Sequence, residues 1–387
     1  MIIEDYFELF AQADNAVYWK SADGQTTLMG FGVASSHTAE DMEALKAWQA
    51  AQVVPVFGGL SFDETTPENQ RDLLAGFIAP KVVIDFNKQV ILGDENYLKT
   101  DVMPQITQPI ARVIIEETLE DNWVERVDAV ITEMTNDTTK QKTVLGAQKE
   151  VHLSKPLDQA QLLRDLNLKQ PKSYHIAFKR EGNLFVSATP ERLVSVDAHV
   201  FATAAVAGST PRGKNAAEDK VLGEALIADD KNREEHALVV NEISQRLTNI
   251  ANVAWADTPI MLQTPQIQHL YTPITGTLKD GRHILDVMKA LHPTPALGGV
   301  PREWAMQTIK AVEAQPRGLF AAPFGVVWPD GDGEFAIGIR AMVVAGNTAT
   351  LFAGAGILAA SDAQQEWAEI NLKMTPMLEL IKEQLND

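Results

Sequence analysis

The sequence predicts an α+β fold, a single large domain of antiparallel β-sheets flanked by helices. Three observations carry the prediction. Strand-like runs follow one another without regularly alternating helices, which argues against a parallel doubly wound sheet. Turns of hairpin chemistry, Ser21-Ala22-Asp23-Gly24 and Pro329-Asp330-Gly331-Asp332-Gly333, separate several of these runs. No repeat, low-complexity block or Pro/Gly/Ser linker divides the 387 residues, and their 45% hydrophobic share is enough for a sizeable core.

In order, Ala16–Trp19 and Thr26–Val33 are expected to form the first hairpin, with Pro55–Phe62 and Lys81–Phe86 as further strands. Asp101–Trp123 reads as a helix with an acidic end. Lys142–Leu145, His175–Phe178, Asn183–Ser187 and Leu193–Val196 read as short strands. Glu218–Ile250 is the longest helical pattern, with Val221, Leu222, Ala225 and Leu226 before Asp229-Asp230 and Leu238, Val239, Ile243 and Leu247 after. Gly325–Trp328, Glu334–Val344 and Ala349–Ala353 are β-rich. Ser361 is expected to cap a final helix reaching about Leu385, with Asp362 and Glu366 in its early turns.

The 33 basic against 52 acidic side chains give a formal charge of −19, which argues against nucleic acid or an anionic membrane as partner. The absence of cysteine excludes disulfides, thiolate nucleophiles and Cys-ligated zinc, while leaving carboxylate-bound Mg²⁺ open. MIIEDYFELF lacks the basic n-region of a secretory signal, and apolar stretches such as Leu351–Ala360 are too short to span a bilayer. A cytoplasmic protein is the expectation.

Gly208-Ser209-Thr210-Pro211-Arg212-Gly213-Lys214 has the spacing of a phosphate-cradling P-loop. Asn215, however, stands where that motif needs a Mg²⁺-binding hydroxyl, and the proline removes an N–H donor. A glycine-rich segment near some other anionic site is the better reading. Asp330–Glu334 lacks the ligand spacing of a calcium loop and reads as a hairpin turn. The eight histidines include no pair at metalloprotease spacing; His236 and His269 stand out only for their neighbours. Glu366, Glu369 and Lys373 project from one face of the final helix, where an ordinary solvated Glu–Lys face is the plain alternative. The preceding Gly354-Ala355-Gly356 allows close backbone approach to a ligand, and Trp367, Ile370 and Leu372 are expected to anchor the helix. Glu234-Glu235 is a second acidic pair in the 218–250 helix; if the two helices face one cleft, their carboxylates have the donor chemistry for Mg²⁺.

At these residues the sequence resembles the chorismate-utilising enzymes, and within them the isochorismate synthases. LHPTPALGG at 291–299 with Pro301 is similar to the family's most distinctive signature. GDGEFAIGIR at 331–340, LFAGAGI at 351–357 and EWAEINLK at 366–373 follow in the family's order. Upstream, SATPERL at 187–193, AVAGSTPRG at 205–213, REEHALVV at 233–240 and IQHLYTPITG at 267–276 also match, and FGGLSFD at 57–63 looks like a family element. The resemblance implies the anthranilate synthase component I-like fold, with 1–130 as a more variable part of the domain and 131–387 as the chorismate-binding catalytic core.

What the resemblance implies for the site is carried over only where motifs match. Lys142, in KTVLGA, takes the place of the general base that activates water, and Glu191, in TPER, that of the general acid that protonates the departing C4 hydroxyl. Glu235, Glu369 and Glu366 occupy Mg²⁺-ligand positions. Arg340, Lys373, Gly354 and Gly356 match positions that hold the substrate's carboxylates, and His269 and Gly208 match active-site wall positions. The implied reaction is Mg²⁺-dependent conversion of chorismate to isochorismate. It needs Lys142 neutral and Glu191 protonated, so their surroundings must oppose charge on both. The lysine favours water as nucleophile over ammonia, with a salicylate synthase as the near alternative and a catechol siderophore route as the alternative to menaquinone. A non-catalytic paralogue is disfavoured by the intact residue set. Ala147 departs from a frequent Arg and Phe352 from a frequent Tyr, with altered affinity as the expected consequence. A monomer with no obligate protein partner is expected.

Overall fold

The computed structural model describes residues 1–62, 74–100, 113–119, 122–263 and 267–385. The chain divides into two compact units, Met1–Glu191 with Pro293–Pro329 and Ala336–Asp387, and Arg192–His292 with Asp330–Phe335.

In the first unit the described residues form an antiparallel sheet ordered Gly299–Val300, Lys142–Leu153, Thr348–Ile357, Ala341–Ala345, Asn183–Thr189, Tyr174–Arg180, Ala16–Lys20, Thr27–Phe31, Val82–Asp85 and Val90–Gly93. Ile114–Leu119 also pairs with Lys142–Leu153. A second antiparallel set runs Pro323–Val327, Val56–Gly59, Gly76–Ala79 and Ser35–His37. The first hairpin closes as its residues dictate. Ser21 Oγ donates to Asp23 Oδ1 at 2.6 Å and accepts from Thr26 N at 3.0 Å, and Gly24 takes φ +72°. The central strands Ala16–Lys20, Thr27–Phe31 and Val82–Asp85 are buried almost without alternation, because both sheet faces are covered.

Two helices serve the site strands: Ala363–Lys382 packs on Thr348–Ile357, and Trp123–Asn136 reaches the Lys142 strand through Trp123. Trp123–Asn136 buries Trp123, Val127, Val130 and Met134, the stripe expected of an amphipathic helix. Ala363–Lys382 buries Ile370, Met374, Met377 and Ile381. Trp123 and Trp367 stack between the two helices at 5.0 Å and 27°. Leu372, expected as an anchor, is instead exposed, because it falls opposite the Ile370–Met374 stripe. Asp362, not Ser361, is the N-cap, accepting from Gln365 N at 2.9 Å.

Three further expectations are corrected. Within Asp101–Trp123 the described stretch Ile114–Leu119 is a strand, not a helix. Its β-branched Ile114, Ile115 and Thr118 suit pairing on the edge of Lys142–Leu153, and residues 101–112 and 120–121 of the expected helix lie outside the described residues. Glu218–Ile250 is two helices, Ala216–Ala228 and Asp230–Leu247, because Asp229 turns extended and caps the second by accepting from Asn232 N. Glu334–Val344 is two strands, Gly333–Ile337 and Ala341–Ala345, broken where Arg340 adopts φ +47°.

In the second unit Val200–Pro211 lies between Arg192–Asp197 and Ile267–Leu278, and the latter also pairs with Ala251–Trp255 and Ile260–Gln263, all antiparallel. Gly208-Ser209-Thr210-Pro211 is therefore strand, not a phosphate loop, and Asn215 serves as the cap of Ala216–Ala228. Among the described residues no helix is long and apolar enough to cross a membrane.

One buried group fixes a pH response of this core. His175 is fully buried, donates from Nε2 to the Gln170 carbonyl at 2.7 Å, and is pulled by desolvation down to about 4 from 6.5. Between those values the unfolded chain binds more protons, so stability is complete above pH 6.5 and is lost as pH falls toward 4. The loss should be on the order of 3 kcal/mol. Urea midpoints measured across this range should fall more steeply for the native chain than for His175→Gln; parallel curves would remove His175 as the cause.

Candidate active site

Four neighbouring strands of the first unit assemble the site. Their register aligns Gln148, Phe352, Ala341 and Ser187 in one rung across the sheet. From that rung the antiparallel register sends Gly354 and Gly356, their partners Gly146 and Val144, then Lys142, Arg340 and Glu191 toward the same end. The two-residue period puts Phe352, Gly354 and Gly356 on one face with Gln148, Gly146, Val144 and Lys142. Ala147, opposite Ala353, is buried on the other face, so its departure from Arg lies away from the glycines. Phe352 is on the glycine face, buried and stacked on Phe320 at 5.4 Å and 18°.

The glycines make room. A Cβ at Gly356 would stand 3.2 Å from Lys142 Cε and 3.8 Å from Nζ, which locates the ammonium directly over that glycine. At Gly354 the nearest atoms would be the Leu145 carbonyl at 3.4 Å, Val144 at 3.6 Å and Phe320 at 3.7 Å, ordinary contact distances. Glu191 is fixed by its backbone: its N–H donates to Thr189 Oγ1 at 3.1 Å and its carbonyl accepts from Ile337 N at 2.9 Å. Desolvation pushes its carboxyl pKa up, and the nearby Lys142 charge pulls in the opposite direction without cancelling the rise. The predicted acid and base therefore sense each other.

Arg340 holds a left-handed backbone that costs a non-glycine residue roughly 1–2 kcal/mol. The surrounding bonds enforce it: its carbonyl accepts from Ala188 N at 3.1 Å, and Ser187 Oγ donates to the Ile339 carbonyl at 2.6 Å. The side chain is exposed.

On the final helix, Lys373 Nζ bridges Glu369 Oε1 at 2.6 Å and the Gly354 carbonyl at 3.0 Å, which ties the helix to the glycine strand. Glu366 Oε1 accepts from Ser361 Oγ at 2.8 Å. These carboxylates are hard oxygen donors on one helix face, each with one oxygen engaged, which suits a Mg²⁺ that retains water and substrate oxygens. No group of three or more His, Asp or Glu side chains is placed to hold a metal among the described residues.

The second unit contains Gly208, His269 and Glu235. Gly208 takes φ +76° at a bulge between Ala207 and Ser209. Ser209 Oγ and His269 Nδ1 are 2.8 Å apart, and burial lowers the His269 pKa. Glu235 is exposed on Asp230–Leu247, while its neighbour His236 is buried between the Ala207 carbonyl and Thr272 Oγ1. Cavities of about 440 and 420 Å³ lie in this unit; Glu234 and His236 line the first, and none of the residues assigned as base, acid, metal ligand or substrate contact lines either one.

Against this geometry, the family profile described as chorismate binding enzyme matches residues 87–382. The chain belongs to the chorismate-binding enzymes. The isochorismate synthase MenF of Bacillus subtilis (strain 168) is 30% identical over 94% of this chain and 87% of its own. The salicylate biosynthesis isochorismate synthase of Pseudomonas aeruginosa is 38% identical over 57% of this chain and 47% of its own. In three dimensions the enzyme superposes on MenF, the menaquinone-specific isochorismate synthase from Escherichia coli, with a TM-score of 0.81 at 24% identity, covering 97% of this chain and 90% of that one. The antiparallel α+β fold expected from the sequence is thus the fold of this enzyme family.

Sequence reasoning missed the groups that hold the Lys142 strand. Between its pairings with Gly299–Val300 and Ile114–Leu119, its outer edge at Val144–Gly146 has no partner strand among the described residues. Side chains and a loop carbonyl satisfy it instead. Arg317 donates to the Val144 carbonyl at 2.7 Å, Glu313 accepts from Gly146 N at 2.6 Å, Trp123 donates to the Gly146 carbonyl at 3.0 Å, and the Gly298 carbonyl accepts from Val144 N at 2.8 Å. The available signal was an oppositely charged pair at helical spacing in a proline-bearing segment, EAQPR, that is not a helix.

Proposed function

We propose that this enzyme is a Mg²⁺-dependent isochorismate synthase, cytoplasmic and active without an obligate protein partner, supplying menaquinone synthesis. The observation that carries the reading is the pairing of Lys142, poised over Gly356, with Glu191, whose carboxyl is pushed toward its protonated form. The relative aligned over most of both chains is itself named an isochorismate synthase. That relative is a MenF, the name borne by the menaquinone-specific enzyme from Escherichia coli, which supports the choice of route.

Chorismate is a dianion, and the enzyme's net charge of −19 requires local cations to hold it. Arg340 offers a planar fork to one carboxylate, and Gly356 leaves room for the Lys142 side chain over the strand. Lys142 removes a proton from the water that attacks C2. Glu191 delivers its proton to the hydroxyl leaving C4, so the two groups finish with exchanged protonation. Glu366 and Glu369 would hold Mg²⁺, which when bound neutralises and orients a substrate carboxylate.

The test is product analysis by chromatography after incubation with chorismate and Mg²⁺, with a parallel EDTA sample. Isochorismate approaching equilibrium with chorismate, and absent with EDTA, is expected. The Pseudomonas aeruginosa relative makes salicylate the specific second outcome: salicylate with pyruvate would transfer the assignment. Unchanged chorismate from folded protein would overturn the activity. For the route, a deletion strain rescued by menaquinone is expected; rescue by iron alone would favour a siderophore.

Arg340 provides a sharper check. Arg340→Gly relieves about 1–2 kcal/mol of left-handed strain but adds about 0.4–1 kcal/mol of unfolded-chain entropy. Stability should therefore hold or rise by about 1 kcal/mol. Loss of a charge-assisted contact of about 1.5–3 kcal/mol should meanwhile raise KM roughly 10- to 100-fold. An unchanged KM would remove Arg340 from substrate binding.

A further inference from the structure

We infer that Glu313 and Arg317 are positioning residues for Lys142, fixing the strand that aims its amine over Gly356; the inference rests on the catalytic reading of Lys142 given above. Arg317 is buried, with 1% of its side chain exposed, and Glu313 keeps 9%. The guanidinium forks onto the carboxylate, with Nε 3.1 and 2.9 Å from its two oxygens. Its remaining donors leave the pair and reach backbone: NH2 to the Val144 carbonyl at 2.7 Å and NH1 to the Leu297 carbonyl at 3.1 Å. Glu313 Oε1 accepts from Gly146 N at 2.6 Å, and the Pro316 carbonyl accepts from Gln148 Nε2 at 3.1 Å. The pair thus grips the Lys142 strand just inside the lysine. It also grips the segment before Gly298-Gly299-Val300, whose residues bond to Gln141 N and Val144 N and pair with Lys142 and Thr143.

The energetics favour positioning over simple stabilisation. Taking two ions out of water costs several kcal/mol each, so a buried pair is a poor source of net stability compared with an apolar replacement. What a fork–fork pair supplies is direction, because each of its donors has a fixed angle. Here that direction is spent on one strand carbonyl, one turn carbonyl and one strand N–H, at a place where no strand among the described residues sets the register. Aromatic packing completes the arrangement. The Arg317 guanidinium lies 4.1 Å from the Phe62 ring centre and 5.8 Å from Phe320, and Phe320 in turn lies under Gly146 and Gly354. A Cβ at Gly146 would meet Glu313 Oε1 at 3.2 Å and Phe320 at 3.3 Å, so the clamp sits on the glycine face itself, beside Gly146.

The test compares Glu313→Gln, Arg317→Lys and a control, Arg164→Lys, which loosens an ion pair to Glu8 remote from this strand. A displacement on the order of 1 Å at a catalytic group costs about 10- to 100-fold in rate. Both clamp variants should lose kcat by that factor with KM for chorismate within about threefold, while Arg164→Lys, at equal or greater loss of Tm, keeps kcat. Independently of turnover, ¹³C-dimethyl-lysine NMR should show the Lys142 resonance, assigned by its absence in Lys142→Arg, titrating at a different midpoint in Glu313→Gln. A wild-type chain that fails to turn over chorismate defeats the function reading but leaves this NMR comparison to decide the clamp. Unchanged kcat and midpoint in folded clamp variants would overturn the inference. So would failure of both clamp variants to fold, since the pair would then be a folding element.

Discussion

Lys142→Ala is expected to lower kcat by about 10²–10⁴-fold, the usual contribution of a positioned proton-transfer group, with KM for chorismate within a few-fold of native. Lys142→Arg is the decisive companion. Arginine keeps the cation but cannot surrender its proton, so a base role predicts an equally inactive enzyme, whereas a purely electrostatic role predicts substantial rescue. Arginine is also longer, and the 3.2 Å between Lys142 Cε and a Cβ at Gly356 shows how little slack the strand face leaves. A matched Lys142→Gln variant separates bulk from charge. Product formation is read by chromatography, and substrate retention by calorimetric titration with chorismate and Mg²⁺. More than about a tenth of native turnover in the Arg variant would assign the proton abstraction elsewhere.

The fold was legible where local chemistry is unambiguous. The Ser21–Gly24 turn, the strands about Ala16, Val82 and His175 and the final helix all follow from turn residues, β-branched runs and helical spacing, although the cap of that helix is Asp362 and not Ser361. Failures came where one residue overrides a pattern. Asp229 interrupts an unbroken helical periodicity, because its carboxylate is more useful as a cap than as a helix-interior side chain. Arg340 interrupts a continuous β-run by a backbone choice that no composition reveals. Ile114–Leu119 takes its partner from an edge far along the chain, and pairing of that kind has no local signature.

The site was legible as a list of residues rather than as an arrangement. Motif resemblance named Lys142, Glu191, Arg340 and the two glycines, and the register of four strands gathers them at one end of a sheet. What the sequence withheld was parity and support. Ala147 and Phe352 looked like equivalent departures, yet the two-residue period sends them to opposite faces. Glu313 and Arg317 carry no catalytic signature, because their task is met through backbone atoms of another segment. Substrate-facing groups repeat as motifs, whereas the groups that hold them are recognisable only in three dimensions.

Glu191→Gln should lose about 10²–10⁴-fold in kcat, since an amide has the shape of the carboxyl but no proton to give a leaving hydroxyl. The same substitution should stabilise the protein. Desolvation raises the Glu191 pKa above 4.5 despite the Lys142 charge, so the folded chain holds its proton at pH values where the unfolded chain has released it. Stability contributed by this group is present below pH 4.5 and declines as pH rises through the raised folded value. Glutamine is neutral at every pH and removes that decline. Thermal melts above pH 4.5 should therefore show the native chain falling progressively below Glu191→Gln, while activity assays show the opposite ranking. In the native enzyme, kcat/KM should fall on the alkaline side as the carboxyl ionises, at a pH above the usual carboxylate range. A Gln variant that is both active and no more stable would mean that this carboxyl is charged in the working enzyme, and the proton for the leaving hydroxyl would have to come from elsewhere.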